Sequence, residues 1–219
     1  MTSAIFSGTA YVQIQEEVKL LINNCPDFLS IQTADHPRAV GDAIEELIAD
    51  NLASILGPLC TEYSSSFARR AMADMAFKGS DGLYYVVDVK THRTDTRFNM
   101  PNLTSVERLS RFYEDDSNCF CIMMVSYTVD DVSIQVTDVH FVPIEFLSWD
   151  CLTIGALGWG QIQIANANRV VVNANCSRRA WMLEFCDAML HFYPKEIAKI
   201  GGRLSHFEAV RARWLAKVE

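Results

Sequence analysis

The stretch "LYYVVDVKT", Leu83 to Thr91, limits the possible folds more than any other part of the chain. Runs of aromatic and β-branched residues bounded by turn residues read as buried strands. This run follows a second strand candidate, "MADMAF", across the stretch "KGSDG". Gly and Asp are the residues that tight turns select, so the pair is predicted to form a β-hairpin. Side chains alternate faces along a strand, so Asp88 and Lys90 point one way while Val87 and Val89 point the other. One face of the second strand therefore ends in a carboxylate beside an ammonium, and the apolar remainder needs cover from other elements.

Helices supply that cover. "AYVQIQEEVKLLINN" reads as an amphipathic helix with Val12, Val18, Leu21 and Ile22 among its apolar positions, ending near Asn24 and Pro26. In "PRAVGDAIEELIADNLASILG", Val40, Ile44, Leu47, Ile48, Leu52 and Ile55 form one stripe at helical spacing, closed by Gly57 and Pro58. Beyond the hairpin, "VERLSRFYED" is predicted as a helix. "CFCIMMVSYTV" and "VSIQVTDVHFVPI" are predicted as strands joined at Asp130 and Asp131, and "GQIQIANANRVVVNAN" as two short strands around an Asn-rich turn. "SRRAWMLEFCDAMLHFY" should be a helix stopping at Pro194, and "SHFEAVRARWLAKV" a further helix opened by Ser205 and Glu208 in capping-box register. Helices, then strands, then helices predict an α+β fold, a central mixed, mainly antiparallel sheet flanked by helices, in one domain over residues 1–219. The sequence shows no internal repeat, low-complexity tract or linker.

A chain of 219 residues, 50% of them apolar, can bury a sizeable core. Its first residues lack the basic start and apolar run of a signal peptide, and "CFCIMMVSY" is too short to span a bilayer, so a soluble, unexported protein is expected. Seven cysteines, an odd count without framework spacing, fit a reducing cytoplasm. Cys119 and Cys121 share a strand face, but no second Cys or His pair stands at zinc-ligand spacing, so they read as small core residues. The net charge of −8 argues, taken whole, against a nucleic-acid partner. Locally, Lys90, Arg93, Arg97, Arg108 and Arg111 follow the opening strand with few acids between them, and Lys195, Lys199, Arg203, Arg211, Arg213 and Lys217 crowd the final segment. Considered alone, such runs are solvated faces.

The chemistry concentrates at the hairpin. Asp74 lies across it from Asp88, and two neighbouring carboxylates are costly unless a cation separates them, a role suited to Mg²⁺. Lys90 beside them can orient an attacking water and neutralise charge building on a phosphate. The plain alternative is a surface ion pair on an edge strand. At 100° per residue Glu45 falls about 20° from Leu52, at the margin of the buried stripe, where a carboxylate can reach under the sheet. Its plain alternative is a half-exposed boundary residue. In "RFNMPNLTS", Asn99 and Asn102 carry the donor and acceptor groups that suit base edges, on a backbone fixed by Pro101; an ordinary polar loop is the competing reading.

An Asp, then fourteen residues later "(D/E)xK" ending an apolar strand, with Glu on a preceding helix, resembles the core of the PD-(D/E)xK nucleases. Within them the chain most resembles the HincII- and EcoRV-like branch of type II restriction endonucleases. The likeness runs through "GDAIEEL", "ADM", "VVDVKT" and "NMPNLTS", and more weakly through "LTIGALGWGQIQI" and the helix beginning "SRRAW". Each block is weak alone; their order makes the set fairly specific.

The resemblance implies a restriction-endonuclease-like fold and a Mg²⁺-dependent homodimer that hydrolyses phosphodiesters of double-stranded DNA at a short palindrome, leaving 5′-phosphates. Asp74, Asp88 and the Val89 carbonyl would hold the metal, Lys90 would be the catalytic lysine, and Glu45 a supporting acid. Asn102 matches an asparagine that reads bases in the family, and Asn99 stands at the family's DNA-wedging glutamine. Met100, Thr104, Ser105, Gln161 and Gln163 would complete the DNA contacts, with Arg93 and Arg97 on phosphates. A bacterial or archaeal cytoplasm and a separately acting cognate DNA methyltransferase are also implied. The chain departs from the pattern at Ala73, where the family motif has proline, at Gly155, where the family has an asparagine that contacts a base, and at Met100, where it has a small residue. A repair or resolvase-type nuclease on the same core, a DNA-binding module without hydrolysis, and a small α+β protein whose motifs are accidental are the alternatives.

Overall fold

The computed structural model of the chain describes residues 3–25, 29, 36–64, 73–96, 99–130 and 132–217. Two compact units divide it, residues 1–175 and 176–219.

The first unit is built on a five-stranded mixed sheet. Strands β1 (Cys60–Ser64), β2 (Met75–Gly79), β3 (Tyr84–Arg93), β5 (Asn118–Asp130) and β6 (Ser133–Pro143) lie in that spatial order. β1–β2, β2–β3 and β5–β6 pair antiparallel, whereas β3 and β5 pair parallel from Tyr84↔Asn118 to Arg93↔Tyr127. The expected hairpin is β2–β3, with Met75 opposite Val87. Its turn is held by the Asp81 carboxylate, which accepts from the Leu83 N–H at 3.0 Å, from the Ala4 N–H at 2.7 Å and from the Tyr85 hydroxyl at 2.6 Å. Gly82 follows at φ 81°, a left-handed backbone that favours glycine. A mixed, mainly antiparallel sheet in an α+β fold is therefore present. β1 departs from the sequence expectation, because "CTEYS" is too polar to read as a strand.

Helices α1 (Ala10–Asn23) and α2 (Pro37–Leu56) cover one face of this sheet. Ile14, Val18 and Ile22 of α1, and Val40, Ile44, Ile48, Leu52 and Leu56 of α2, pack in one core with Val87, Val89, Cys121, Met123, Val125 and Phe141. Val12, expected on the apolar face of α1, is instead 41% exposed. The odd-numbered residues of β3 thus serve the helices, which leaves Asp88, Lys90 and His92 on the opposite face. Cys119 and Cys121 are both buried in β5, their sulfurs 3.8 Å apart, as small core residues should be.

A second sheet has three strands in the order β4 (Asn102–Ser105), β8 (Gln161–Ile164) and β7 (Leu152–Gly155). "NLTS", expected as loop, is recruited into β4 by antiparallel pairing with β8, in which Asn102 faces Gln163 and Ser105 faces Gln161. Helix α3 spans only Val106–Phe112. The second short strand expected in "RVVVNAN" reduces to an isolated bridge, Leu147↔Val172.

The second unit is one helix, α4 (Arg178–Leu215), N-capped by Ser177, whose Oγ accepts from the Ala180 N–H at 3.2 Å. The chain does not stop at Pro194 and does not restart at Ser205: both lie inside this helix. A proline removes one backbone hydrogen bond, and neighbouring turns on both sides can still carry the helix through. Among the described residues no helix is long and apolar enough to cross a membrane.

Candidate active site

β3 delivers two of the predicted groups. Asp88 is only 5% exposed, while Lys90, one pleat further along the same face, is partly open to solvent. The Lys90 ammonium stands 2.7 Å from Asp88 Oδ2. Oδ2 is otherwise a buried oxygen without an aligned hydrogen bond, so the contact is best described as an ion pair rather than a well-formed hydrogen bond.

Asp74 is placed by the ladder itself. It immediately precedes β2, and its N–H donates to the Val87 carbonyl at 3.0 Å, extending the hairpin pairing by one residue. Its Oδ2 accepts from the Val89 N–H at 2.6 Å. Asp74 is thereby locked against the backbone between Asp88 and Lys90. An extended residue sends its N–H and C=O to the same side of the strand, so the Val89 carbonyl faces the Asp74 edge.

Glu45, half-buried on α2 as its position beside the stripe predicts, joins the group. Burial pushes the Asp88 carboxyl up to about 7; the negative charges of Asp74 and Glu45 push the same way, and the Lys90 ammonium opposes them. Four of the predicted groups, Glu45, Asp74, Asp88 and Lys90, therefore sense one another around the end of β3. The close approach of α2 to β3 has its own requirement. A Cβ on Gly41 would lie 2.7 Å from Thr91 Oγ1, so glycine there lets the helix sit against the strand one turn before Glu45.

The proposed DNA-facing residues divide. On the second sheet, Gln161 and Gln163 share one face, opposite the fully buried Ile162 and Ile164. Register sets Gln163 between Asn102 and Thr153, and Gln161 between Ser105 and Gly155. Gln163 Nε2 donates to Asn102 Oδ1 at 2.6 Å. A Cβ on Gly155 would come within 2.7 Å of Gln163 Oε1, so the Gln163 amide occupies the space that a side chain at 155 would fill. Asn99 and Met100 precede β4, with the Asn99 carbonyl accepting from the Ala167 N–H at 2.9 Å and Met100 36% exposed.

Other expected contacts are engaged elsewhere. Thr104 is buried with its hydroxyl turned inward, because the β4–β8 bulge puts it on the Ile162 side. Ser105 Oγ caps α3, accepting from the Arg108 N–H at 3.2 Å. Arg93 forms an ion pair with Asp95 at 2.9 Å. Arg97 lies outside the described residues.

One further group on this face carries no motif signal. His92 continues the Asp88–Lys90 face, buried, with Nε2 2.7 Å from Asn168 Oδ1; extending the alternation by one pleat would have found it. It lines, with Lys90, Ser126, His140 and Asn168, an open cleft of about 290 Å³ beside the site. Away from this site, Glu145 is buried in the 3-10 turn that follows β6 and accepts from the Tyr113 hydroxyl at 3.0 Å.

Among the described residues no group of three or more His, Cys, Asp or Glu side chains is arranged to hold a metal. The site offers two carboxylates and a backbone carbonyl, an all-oxygen set. Zinc sites are built mainly on nitrogen and sulfur donors, whereas Mg²⁺ is satisfied by one or two carboxylates and keeps several waters. The chain matches no protein-family model and no curated protein.

Proposed function

We propose that the chain is a Mg²⁺-dependent deoxyribonuclease with a restriction-endonuclease-like core, acting as a type II restriction enzyme. It would cut double-stranded DNA at a short palindrome and leave 5′-phosphates. The observation that carries this reading is Asp88: a buried carboxylate at a strand end, raised to about 7 by burial and by Asp74 and Glu45, and partnered by a lysine open to solvent. A purely structural ion pair does not need two further acids crowding its carboxylate. The hairpin that carries both aspartates, set beside a parallel neighbour in a mixed sheet, supports the same assignment.

In this reading Asp74, Asp88 and the Val89 carbonyl hold the metal. Bound there, Mg²⁺ would supply charge neutralisation at the scissile phosphate. The Lys90 ammonium, 2.7 Å from Asp88, sits where it can hold a water for in-line attack on phosphorus and offset the charge that develops on the phosphate oxygens. Glu45 adds negative charge that favours a cation over an empty pair. Asn102 and Gln163, joined amide to amide, present donors and acceptors of the kind that discriminate base edges. A two-fold dimer would bring one such site to each strand of a palindrome.

Digestion of long duplex DNA with and without Mg²⁺ tests the proposal. Discrete fragments carrying 5′-phosphates and 3′-hydroxyls support it. Intact DNA with Mg²⁺, Mn²⁺ and Co²⁺ at low salt would reject it, and binding without cleavage would leave a DNA-binding module.

A further inference from the structure

Helix α4 carries a surface that nothing in the nuclease reading uses. Leu183, Cys186, Leu190, Tyr193, Ile197, Ile200, Leu204, Phe207, Arg211 and Trp214 follow one another at spacings that alternate three and four, a heptad seam sustained over more than four heptads. All but Arg211 are apolar. The large apolar residues of the seam are exposed from 36% at Tyr193 to 74% at Leu190, with Phe207 at 67% and Trp214 at 64%. The buried residues of the helix, Trp181, Phe185 and Met189, lie on a different stripe.

This helix is poorly suited to stand alone. Pro194, Gly201 and Gly202 all lie within it, and each glycine costs about 1 kcal/mol of helical stability relative to alanine. Long exposed helices take their stability from packing an apolar face. All three residues sit off the a and d positions, at e and f when Leu190 is set as a, so none of them interrupts the apolar seam itself.

The flanking positions select the occupant. In a parallel two-stranded coiled coil each g residue meets the e residue five positions later on the other helix. Of the five such pairs along the seam, Met182–Asp187, Met189–Pro194 and Glu196–Gly201 offer no complementarity, whereas Arg203 meets Glu208 with opposite charge and Val210 meets Leu215 with apolar side chains. Both matches occur twice in a symmetric pair of identical helices. An antiparallel pair sets e against e and g against g, so Arg203 and Glu208 could not meet. Arg211 at a is the kind of polar seam residue that fixes register at some cost in stability.

We infer that α4 is a dimerisation element, forming a parallel, in-register coiled coil with a second copy of this chain along the Leu183–Trp214 seam. The inference rests on the helix alone. It would serve the two-fold cutting proposed above, but neither claim depends on the other.

Sedimentation of the full chain, without DNA or metal, tests it. The expected species has twice the 24.7 kDa chain mass. Arg203→Glu and Glu208→Arg, both on exposed positions, should each weaken the dimer on the order of tenfold, and combining them should restore it to within roughly threefold. Cys186, exposed at a d position, should cross-link to its own counterpart with a short bismaleimide, a product identified by peptide mass and lost in Cys186→Ser. A monomer at tens of micromolar would overturn the inference. So would a dimer indifferent to both charge reversals, or one in which Cys186 does not link to itself. None of these arms involves DNA cleavage, so failure here leaves the nuclease reading standing, and absence of cleavage leaves the coiled coil standing.

Discussion

Replacing Asp88 with Asn isolates the electrostatic cost at the centre of the site. Burial raises the carboxyl from its ordinary 3.8 to about 7 in the folded chain. That difference between folded and unfolded chain is worth about 4 kcal/mol in all. The sign follows from the direction of the shift. A group whose folded pKa is raised contributes stability that is fully present below its unfolded value and lost as pH climbs through the folded one. Between pH 5 and pH 8 the wild-type chain should therefore lose about 2–3 kcal/mol through this one carboxyl. Asn carries no proton to lose, so Asp88→Asn lacks that slope.

The assay is urea or thermal unfolding of both proteins in EDTA at pH 5 and pH 8. The advantage of Asp88→Asn over wild type should be about 2–3 kcal/mol larger at pH 8 than at pH 5, or about 5–10 °C in Tm for a chain of this size. Comparing differences between the two pH values cancels any constant cost of fitting an amide. Mg²⁺ should narrow the gap at pH 8, since a cation relieves the same repulsion that the substitution removes. Parallel pH profiles for the two proteins would refute the reasoning.

Lys90→Met should abolish cleavage while leaving DNA binding within about threefold, and should cost about 1–3 kcal/mol of stability at pH 8, because Asp88 loses the ammonium paired with it; nuclease assays, filter binding and urea unfolding check the three parts. Gly155→Ala forces the flexible end of Gln163 away from Asn102, so cutting at the preferred site should fall roughly tenfold relative to related sites while stability changes by less than about 1 kcal/mol, read by end-sequencing of a digested DNA library. Asp81→Ala removes three hydrogen bonds from the β2–β3 turn and should destabilise the chain by about 1–3 kcal/mol in urea unfolding. Asp81 is held below the usual carboxylate range: burial raises it, but the Tyr85 hydroxyl and the Ala4 and Leu83 amides outweigh that. Its contribution should therefore be present at neutral pH and fade as pH falls through its depressed value.

Alternation and helical spacing carried much of the site. Period two alone placed Asp88 and Lys90 on one face of β3, and period 3.6 placed Glu45 at the edge of the α2 stripe, where its charge reaches Asp88. Both are local properties, and local patterns survive folding. The parallel pairing of β3 with β5 is a long-range event that leaves no mark in either strand. "NLTS" has no alternation to announce a strand and becomes β4 only because β8 lies alongside it. That pairing also explains why Thr104 turns inward while Asn102 meets Gln163, a distinction invisible in a stretch read as loop. Pro194 acts in the opposite sense: a strong local breaker signal is overridden within α4, which runs unbroken from Arg178 to Leu215.

The most direct test of the central claim is a side-by-side digest of the same long duplex DNA by wild type, Asp74→Ala, Asp88→Ala and Lys90→Ala, with Mg²⁺ and with EDTA. Discrete fragments from the wild type alone, and only with Mg²⁺, are the predicted result. Cutting that persists in the Asp88→Ala or Lys90→Ala chain would contradict the account, as would intact DNA in every lane.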